Sequence, residues 1–325
     1  MSTSDLSLPS MPPVDLARVE STLRTRYWSW ILRGAEDGPL QLSKLLAEKL
    51  PHIPQSSWPE RFDFGGIYVN GIEALGDTTL PLPARVEYYE PKFEISTAQS
   101  QFSVFLDEHV LFHDDAIAIV FKPPHLPSMP AKEQRHFSLK ASIERLLGRV
   151  IHMPSRLDVS AQGLVVVSTS PKAHAGLQHA FEKREVHKTY RFASHQKSAW
   201  SERLVDFNIA VSPHHPVLRY ASTNEGQAAQ TRISASHSAI SDGTPVSVYT
   251  ANPITGRTHQ IRVHAAASGI SIHGDNFYGG SPAQYLHLVS CELSLPHPLT
   301  GVTVTMRLPE KLSPAWVWNG EAFQR

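Results

Sequence analysis

Two stretches of the sequence concentrate residues that could do chemistry. "NPITGRTHQIRVHAAASG" (Asn252–Gly269) crowds two arginines, two histidines, a glutamine and two threonines ahead of three alanines and a glycine. "MPSRLDVSAQGLVVV" (Met153–Val167) sets a lone acid, Asp158, before a valine-rich run, with Arg156 on one side and Gly163 on the other. Loops at strand ends are where scaffolds commonly present reactive groups. An aspartate held by an arginine in a cleft stays ionised and can act as nucleophile or base. The same Asp-Val-Ser run could also close a turn on its own side chain, and spacing alone leaves both readings open.

The first stretch needs a helix to position it. A strand-like run, Val246–Ala251, leads through Pro253 and Gly256 into a helical segment ending at Gly269, with Thr258 as the expected N-cap. Arg257, Thr258 and the first free amides would then gather at a helix N-terminus, where anions are favoured. Arg262 lies about one turn further in. Ala265, Ala266 and Ala267 keep that helix thin enough to lie close on a sheet. An arginine there is expected to be partly buried and to require an acidic partner, for which Asp158 is the best candidate. A capped helix with a purely structural ion pair remains the alternative.

The rest of the chain supplies the elements. With 325 residues, about two domains are expected. Hydrophobic content of 41% and charged content of 18% describe a globular protein. No run of about 18 apolar residues or signal-peptide pattern is present, and the single cysteine, Cys291, excludes an internal disulfide, so a cytoplasmic location is expected. Thirty basic residues balance thirty acidic ones. That balance argues mildly against a nucleic-acid partner without excluding a local basic cleft.

Residues 1–20 read as a disordered segment, 21–91 as a small α+β domain, 92–104 as a linker and 105–325 as the catalytic domain. The pattern from Arg24 to Leu50 predicts helix, and Asn70-Gly71 predicts a type I′ hairpin. In the larger domain, Val110–Phe112 and Ala116–Phe121 form an expected hairpin. "GLVVVSTS", "KTYRFAS", "PVSVYTANP" and "VTVTMRLP" read as strands, and Pro171 opens a helix with Ala173, Leu177, Ala180 and Phe181 on one stripe. Many strands and few helices predict an α+β fold with a mixed, mainly antiparallel sheet.

Asp158 with its neighbours, "KTY" at 188–190 and "PITGRTHQIRVH" resemble three successive motifs of the RluA-type pseudouridine synthases. "LFHDDAIAIVFKPPHLPSMP", "LVDFNI", "GQAAQT", "GISIHGDNFYGG" and "LHLVSCELSLPHPLTG" resemble further family segments in the same order, from about Val110 to Pro309. The resemblance implies the pseudouridine synthase fold and isomerisation of specific uridines in rRNA or tRNA. It implies that Asp158 is the catalytic nucleophile, Arg262 its basic partner and Tyr190 the ring that stacks on the base and is implicated in removing the C5 proton. It places Arg156 where the family displaces or replaces the flipped nucleotide, and puts Arg257, Gln260 and Lys122 in substrate-binding segments. No metal, cofactor or group donor is implied, RNA is the partner, and a monomer is expected.

Two departures bear on the loop that presents Asp158: Ser155 stands where the family usually has histidine, and Ala161-Gln162 replaces the usual Thr-Ser. The front domain resembles, more loosely, an S4-type RNA-binding module. Between residues 21 and 91 it carries seven basic and nine acidic residues, a poor match for a phosphate backbone. His259, His264, His273, His287 and His297 invite a metal reading, but no HExxH or paired-cysteine spacing accompanies them, and surface or capping roles are expected. A non-catalytic RNA-binding protein on the same scaffold is the rival to an enzyme, and it predicts indifference to substitution of Asp158.

Overall fold

In the computed structural model, which describes residues 11–12, 14–17, 19, 26–34, 39–91, 104–132 and 137–318, the segment Arg26–Leu32 is a strand, β1. This corrects the helix expected from Arg24 onward. Trp28, Trp30 and Leu32 are half-buried while Tyr27, Ser29 and Ile31 are exposed, a period of two that a strand satisfies and a helix does not. The expected linker and most of the expected disordered segment lie outside the described residues.

Contacts divide the chain into two units, one of Glu20–Val104 with Leu126–Gly148, the other of Met1–Val19, Phe105–His125 and Arg149–Arg325. In the first, α1 (Leu42–Lys49) and α2 (Trp58–Phe64) precede three strands, β2 (Ile67–Val69), β3 (Ile72–Glu73) and β4 (Ala84–Glu90). Asn70 and Gly71 have φ of 51° and 80°, the pair of positive values that a type I′ turn needs. The sheet order is β1-β4-β2-β3. Leu42, Leu45, Leu46, Trp58, Phe62 and Tyr88 fill its core. Helix α3 (Leu139–Leu147), capped by the Ser138 hydroxyl at 3.2 Å from the Ala141 amide and ended by left-handed Gly148, groups with this unit.

The second unit is built on a nine-stranded sheet. Its elements are β5 (Val110–His113), β6 (Ile117–Lys122), β7 (Gln162–Ser168), α4 (Pro171–Glu182) and β8 (His187–Ser194). They continue with β9 (Glu202–Val205), β10 (Asn208–Val211), β11 (Arg219–Ser222), β12 (Thr231–Ser241) and β13 (Thr244–Pro253). Helix α5 (Gln260–Ala267), β14 (Leu288–Pro296) and β15 (Thr303–Arg307) complete it. The order is β5-β6-β7-β14-β8-β13-β12-β9, with β15 paired to β14, while β10 and β11 form a separate ribbon. Only β7 and β14 run parallel among these pairs, so the sheet is mixed and mainly antiparallel, as expected.

This order brings distant segments side by side. Every residue of β7 is buried, which its valine run requires. Gly163 in β7 has φ of 118°, and a Cβ there would fall 2.2 Å from the Ser290 carbonyl oxygen. Only glycine lets β7 lie against β14 at that point. Ser290 pairs in turn with Tyr190 of β8. The loop carrying Asp158, the strand carrying Tyr190 and the helix that follows β13 therefore occupy neighbouring positions on one scaffold. Among the described residues no helix is long and apolar enough to cross a membrane.

Candidate active site

Asp158 and Arg262, 104 residues apart in sequence, meet: Arg262 Nη1 donates to Asp158 Oδ2 at 3.2 Å. Arg262 is 4% exposed, as the alanine-rich helix predicted, and all eight residues of α5 are buried. One carboxylate cannot satisfy a buried guanidinium with five N–H donors. Asp275, 1% exposed, supplies the second: Oδ1 accepts from Nη2 at 2.7 Å and Oδ2 accepts from Nε at 2.8 Å. The Phe277 amide donates to Asp275 Oδ1 at 3.0 Å, and the Phe277 and Tyr278 rings lie 4.9 and 5.1 Å from the Arg262 Cζ. Sequence reasoning named Asp158 alone as the partner. The signal for Asp275 was the donor count of a buried arginine together with the lone acid of "HGDNFYGG".

The two carboxylates differ in what they can do. Asp275 is enclosed and bidentate, so it fixes the guanidinium. The Asp158 side chain keeps 26% exposure and a single arginine bond, so it faces outward with an oxygen to spare. Burial alone would lift its carboxyl; His259, then Arg262 and, least, Lys122 outweigh that and hold it below the usual carboxylate range. Burial likewise opposes charge on Arg262, and Asp275 with Asp158 more than compensates, so the guanidinium stays charged.

His259 was not singled out for this site, and it borders the carboxylate with Nε2 3.9 Å from Asp158 Oδ2. It, not Thr258, is the N-cap of α5, held in the left-handed region at φ 58°. The Tyr278 hydroxyl accepts from the Arg219 amide at 3.1 Å, so its own proton points to His259 Nδ1 at 2.6 Å. That leaves the imidazole proton on Nε2, the nitrogen beside Asp158. Burial and then Arg262 push the His259 pKa down to about 4, so the ring is a neutral donor at neutral pH.

Lys122 is fully buried at the end of β6 and donates to the carbonyls of Pro123 at 2.9 Å and Val159 at 3.0 Å. It thus anchors the residue next to Asp158. Desolvation pulls its pKa down to about 7, against the pull of Asp158. Gln260 is also buried. Its Nε2 donates to the Gln230 carbonyl and the Thr231 hydroxyl, each at 2.9 Å, while its Oε1 accepts from Thr255 Oγ1 at 2.7 Å and the Arg257 amide at 3.0 Å. All four hydrogen-bonding positions of the amide are engaged within the protein.

Arg257 and Arg156 are exposed, and Arg257 Nε donates to the Ala228 carbonyl at 3.1 Å. Tyr190 is 8% exposed in β8, and burial lifts its phenol well above the ordinary range. Ser155, at the position that departs from the family pattern, accepts a hydrogen bond from Lys188 of "KTY". The structure therefore brings Asp158, Arg262 and His259 into one cluster, ties Lys122 to the Asp158 loop and Gln260 to the 255–257 turn, and leaves the Arg156 and Arg257 side chains open to solvent.

Comparison with known proteins identifies the family. A family model described as RNA pseudouridylate synthase matches residues 116–267. The dual-specificity RNA pseudouridine synthase RluA of Vibrio parahaemolyticus serotype O3:K6 is 33% identical over 200 residues, covering 58% of this chain and 78% of that protein. RluA of Escherichia coli K12 is 33% identical over 210 residues, covering 62% and 92%. An uncharacterized RNA pseudouridine synthase, YjbO of Bacillus subtilis 168, is 29% identical over 258 residues, covering 77% and 88%. The solved structure of human RNA Pseudouridylate Synthase Domain Containing 1 shares the fold with a TM-score of 0.53 at 20% identity, covering 62% of this chain and 82% of that one. With the expected α+β architecture and motif order in place, this chain belongs to the RluA-type RNA pseudouridine synthases, which are isomerases.

Proposed function

We propose that the protein isomerises specific uridines of ribosomal or transfer RNA, with Asp158 as the nucleophile. The observation that carries this reading is the asymmetric sharing of Arg262: clamped by Asp275 through two bonds, it offers one of its other N–H groups to a partly exposed Asp158. A fixed cation lowers the carboxylate pKa without enclosing it, which keeps the group ionised and able to attack. The target uridine leaves its stack at a cost of a few kcal/mol. Stacking on the Tyr190 ring returns roughly 1–3 kcal/mol. An Asp158 carboxylate oxygen bonds to C1′ as the N1–C1′ bond breaks; the base turns, C5 bonds to C1′ as the Asp158–C1′ bond breaks, and C5 gives up its proton to solvent while N1 takes one up. Atoms are rearranged within one nucleoside, so neither a redox cofactor nor a group donor enters the balance.

The raised phenol pKa leaves Tyr190 protonated at neutral pH, which favours a stacking role over that of C5 base. Arg156 and Arg257, exposed and cationic, are assigned to the RNA backbone and the vacated base position. Lys122 and Gln260 act by holding the Asp158 loop and the 255–260 turn. The S4-like reading of the front unit rests on the order of its helices and hairpin, and its acidic balance makes it a weak phosphate binder. A cytoplasmic monomer fits the composition. Tritium release from RNA labelled at uridine C5 tests the assignment: Asp158→Asn is expected to abolish release while folding normally. Full activity in that variant would assign the nucleophile elsewhere, and RNA binding without release by the unaltered protein would make it a non-catalytic binder.

A further inference from the structure

A second cluster in the catalytic unit is built from neutral bases. Asp242 lies in the turn joining β12 to β13, His273 in the segment after α5, and His287 immediately before β14. One ligand atom from each falls within 4.8 Å of the others. His273 Nε2 is 3.6 Å and His287 Nε2 3.7 Å from Asp242 Oδ2. A tetrahedral centre with metal–ligand distances of about 2.0–2.1 Å separates its ligand atoms by about 3.3 Å, so small side-chain adjustments close the geometry.

The orientation of each ring points the same way. His273 Nδ1 is 2.7 Å from the Ser281 hydroxyl, and His287 Nδ1 donates to the Tyr285 carbonyl at 3.1 Å. The carbonyl fixes the proton of His287 on Nδ1 and leaves its Nε2 with a lone pair, and the Ser281 hydroxyl can accept from His273 Nδ1 in the same way, as outer partners do for metal-ligating histidines. His195 stands beside them, its Nδ1 3.2 Å from the Pro245 carbonyl and its ring 4.4 Å from that of His273. Asp242, His273 and His195 open on a hollow of about 370 Å³, which Ser281 also lines.

The independent observation is His273 Nε2 itself. The residue is 4% exposed, yet this nitrogen is buried without a hydrogen-bond partner. Such an orphan costs about 1–3 kcal/mol and is uncommon in native proteins. His287 Nε2 lies 2.8 Å from the Ser241 hydroxyl, which a cation would displace. Four of the five histidines expected at the surface or in caps, His264, His273, His287 and His297, are in fact buried.

We propose that Asp242, His273 and His287 form a structural site for a borderline divalent transition metal of the zinc class, with His195 or water in the fourth position. Two imidazoles and one carboxylate suit such an ion and suit magnesium or calcium poorly. The site would clip the β12–β13 turn to the two segments that flank Asp275 and enter β14. It takes no part in the proposed isomerisation and stands independently of it.

The test uses full-length protein stripped with chelator and titrated with zinc chloride. One zinc per chain is expected, with a raised thermal midpoint, and Co²⁺ in its place should give the visible absorption of a four-coordinate site. Asp242 is half exposed at φ 50°, a conformation asparagine adopts readily, so Asp242→Asn should fold as the unaltered chain does. Zinc affinity in Asp242→Asn should fall at least about tenfold, and His195→Gln, also at an exposed position, should weaken it less. No stoichiometric uptake by the unaltered protein, or equal uptake by Asp242→Asn, overturns the site.

Discussion

Around Arg262 the buried charges close on themselves: Asp275 takes two of its donors and Asp158 a third, so the cluster has a negative group to present and no vacancy for a cation. Around His273 and His287 the buried groups are imidazoles whose Nε2 atoms face one carboxylate. Both clusters draw on the segment between α5 and β14, and both contain aspartate and histidine. The sign of the central group separates them. A fixed guanidinium makes a carboxylate reactive toward an electrophile, whereas imidazole lone pairs facing a carboxylate make a receptor for a metal. Residue identity alone therefore does not assign chemistry; the neighbour that supplies the opposing charge does.

The largest expected effect is a double dissociation. Asp158→Asn should reduce pseudouridine formation by at least roughly a thousandfold, as removal of a nucleophile commonly does, and leave zinc uptake unchanged. Asp242→Asn should do the reverse, losing zinc affinity while tritium release stays near that of the unaltered protein. If either substitution disturbed both readouts equally, the two clusters would be one functional unit and the contrast would fail.

Next in size is Asp275→Asn, which leaves the buried Arg262 with one acid. Breaking a buried ion pair costs about 3–5 kcal/mol, so urea unfolding should show a loss in that range. Activity should fall as well, because the guanidinium is no longer held in place. A variant as stable as the unaltered chain would show that Asp158 alone suffices for Arg262.

A pH dependence follows from His259. Its ordinary pKa of 6.5 falls to about 4 in the folded chain, through burial and then Arg262. Between these values the unfolded chain binds a proton that the folded one does not, so stability declines as pH drops from about 6.5 to 4. At 1.36 kcal/mol per unit this contributes up to roughly 3 kcal/mol. His259→Gln, which keeps a neutral side chain, should flatten the slope of the thermal midpoint in that window. An unchanged slope would mean that other groups, such as His287, carry it. The smallest effect is expected for Asp242→Asn without metal, within about 0.5 kcal/mol of the unaltered chain, since the residue is half exposed.

How legible each part was depends on the range of the interaction that decides it. Helix α4, the buried β7 and the hairpin at Asn70-Gly71 follow from local pattern, and they form where the pattern says. The β1 strand was misread because a leucine stripe in α1 was extended backward across "RYWSWIL", whose own alternation is of period two. Asp158 and Arg262 stood out as candidates by residue type and setting, and the resemblance of their motifs and of "KTY" to the family assigned them and Tyr190 their roles. Asp275 and His259 did not, since their importance lies in what they touch: Asp275 supplies the acceptors that a buried arginine 13 positions away needs, and His259 is aligned by Tyr278, 19 positions on. The residues of the proposed metal site sit in three separate segments, so no spacing rule could join them.

By itself, the order of apolar and polar residues determined the fold class and most of the strands, because periodicity and turn chemistry act over a few residues, while the likeness of its motifs to those of the pseudouridine synthases pointed to the family. Which acid clamps Arg262 and which remains available, which histidine nitrogen carries its proton, and which imidazoles converge were decided only when β7, β14, β8 and β13 came together. Those outcomes depend on desolvation and on charges brought to within a few ångströms, and neither exists until the chain has folded.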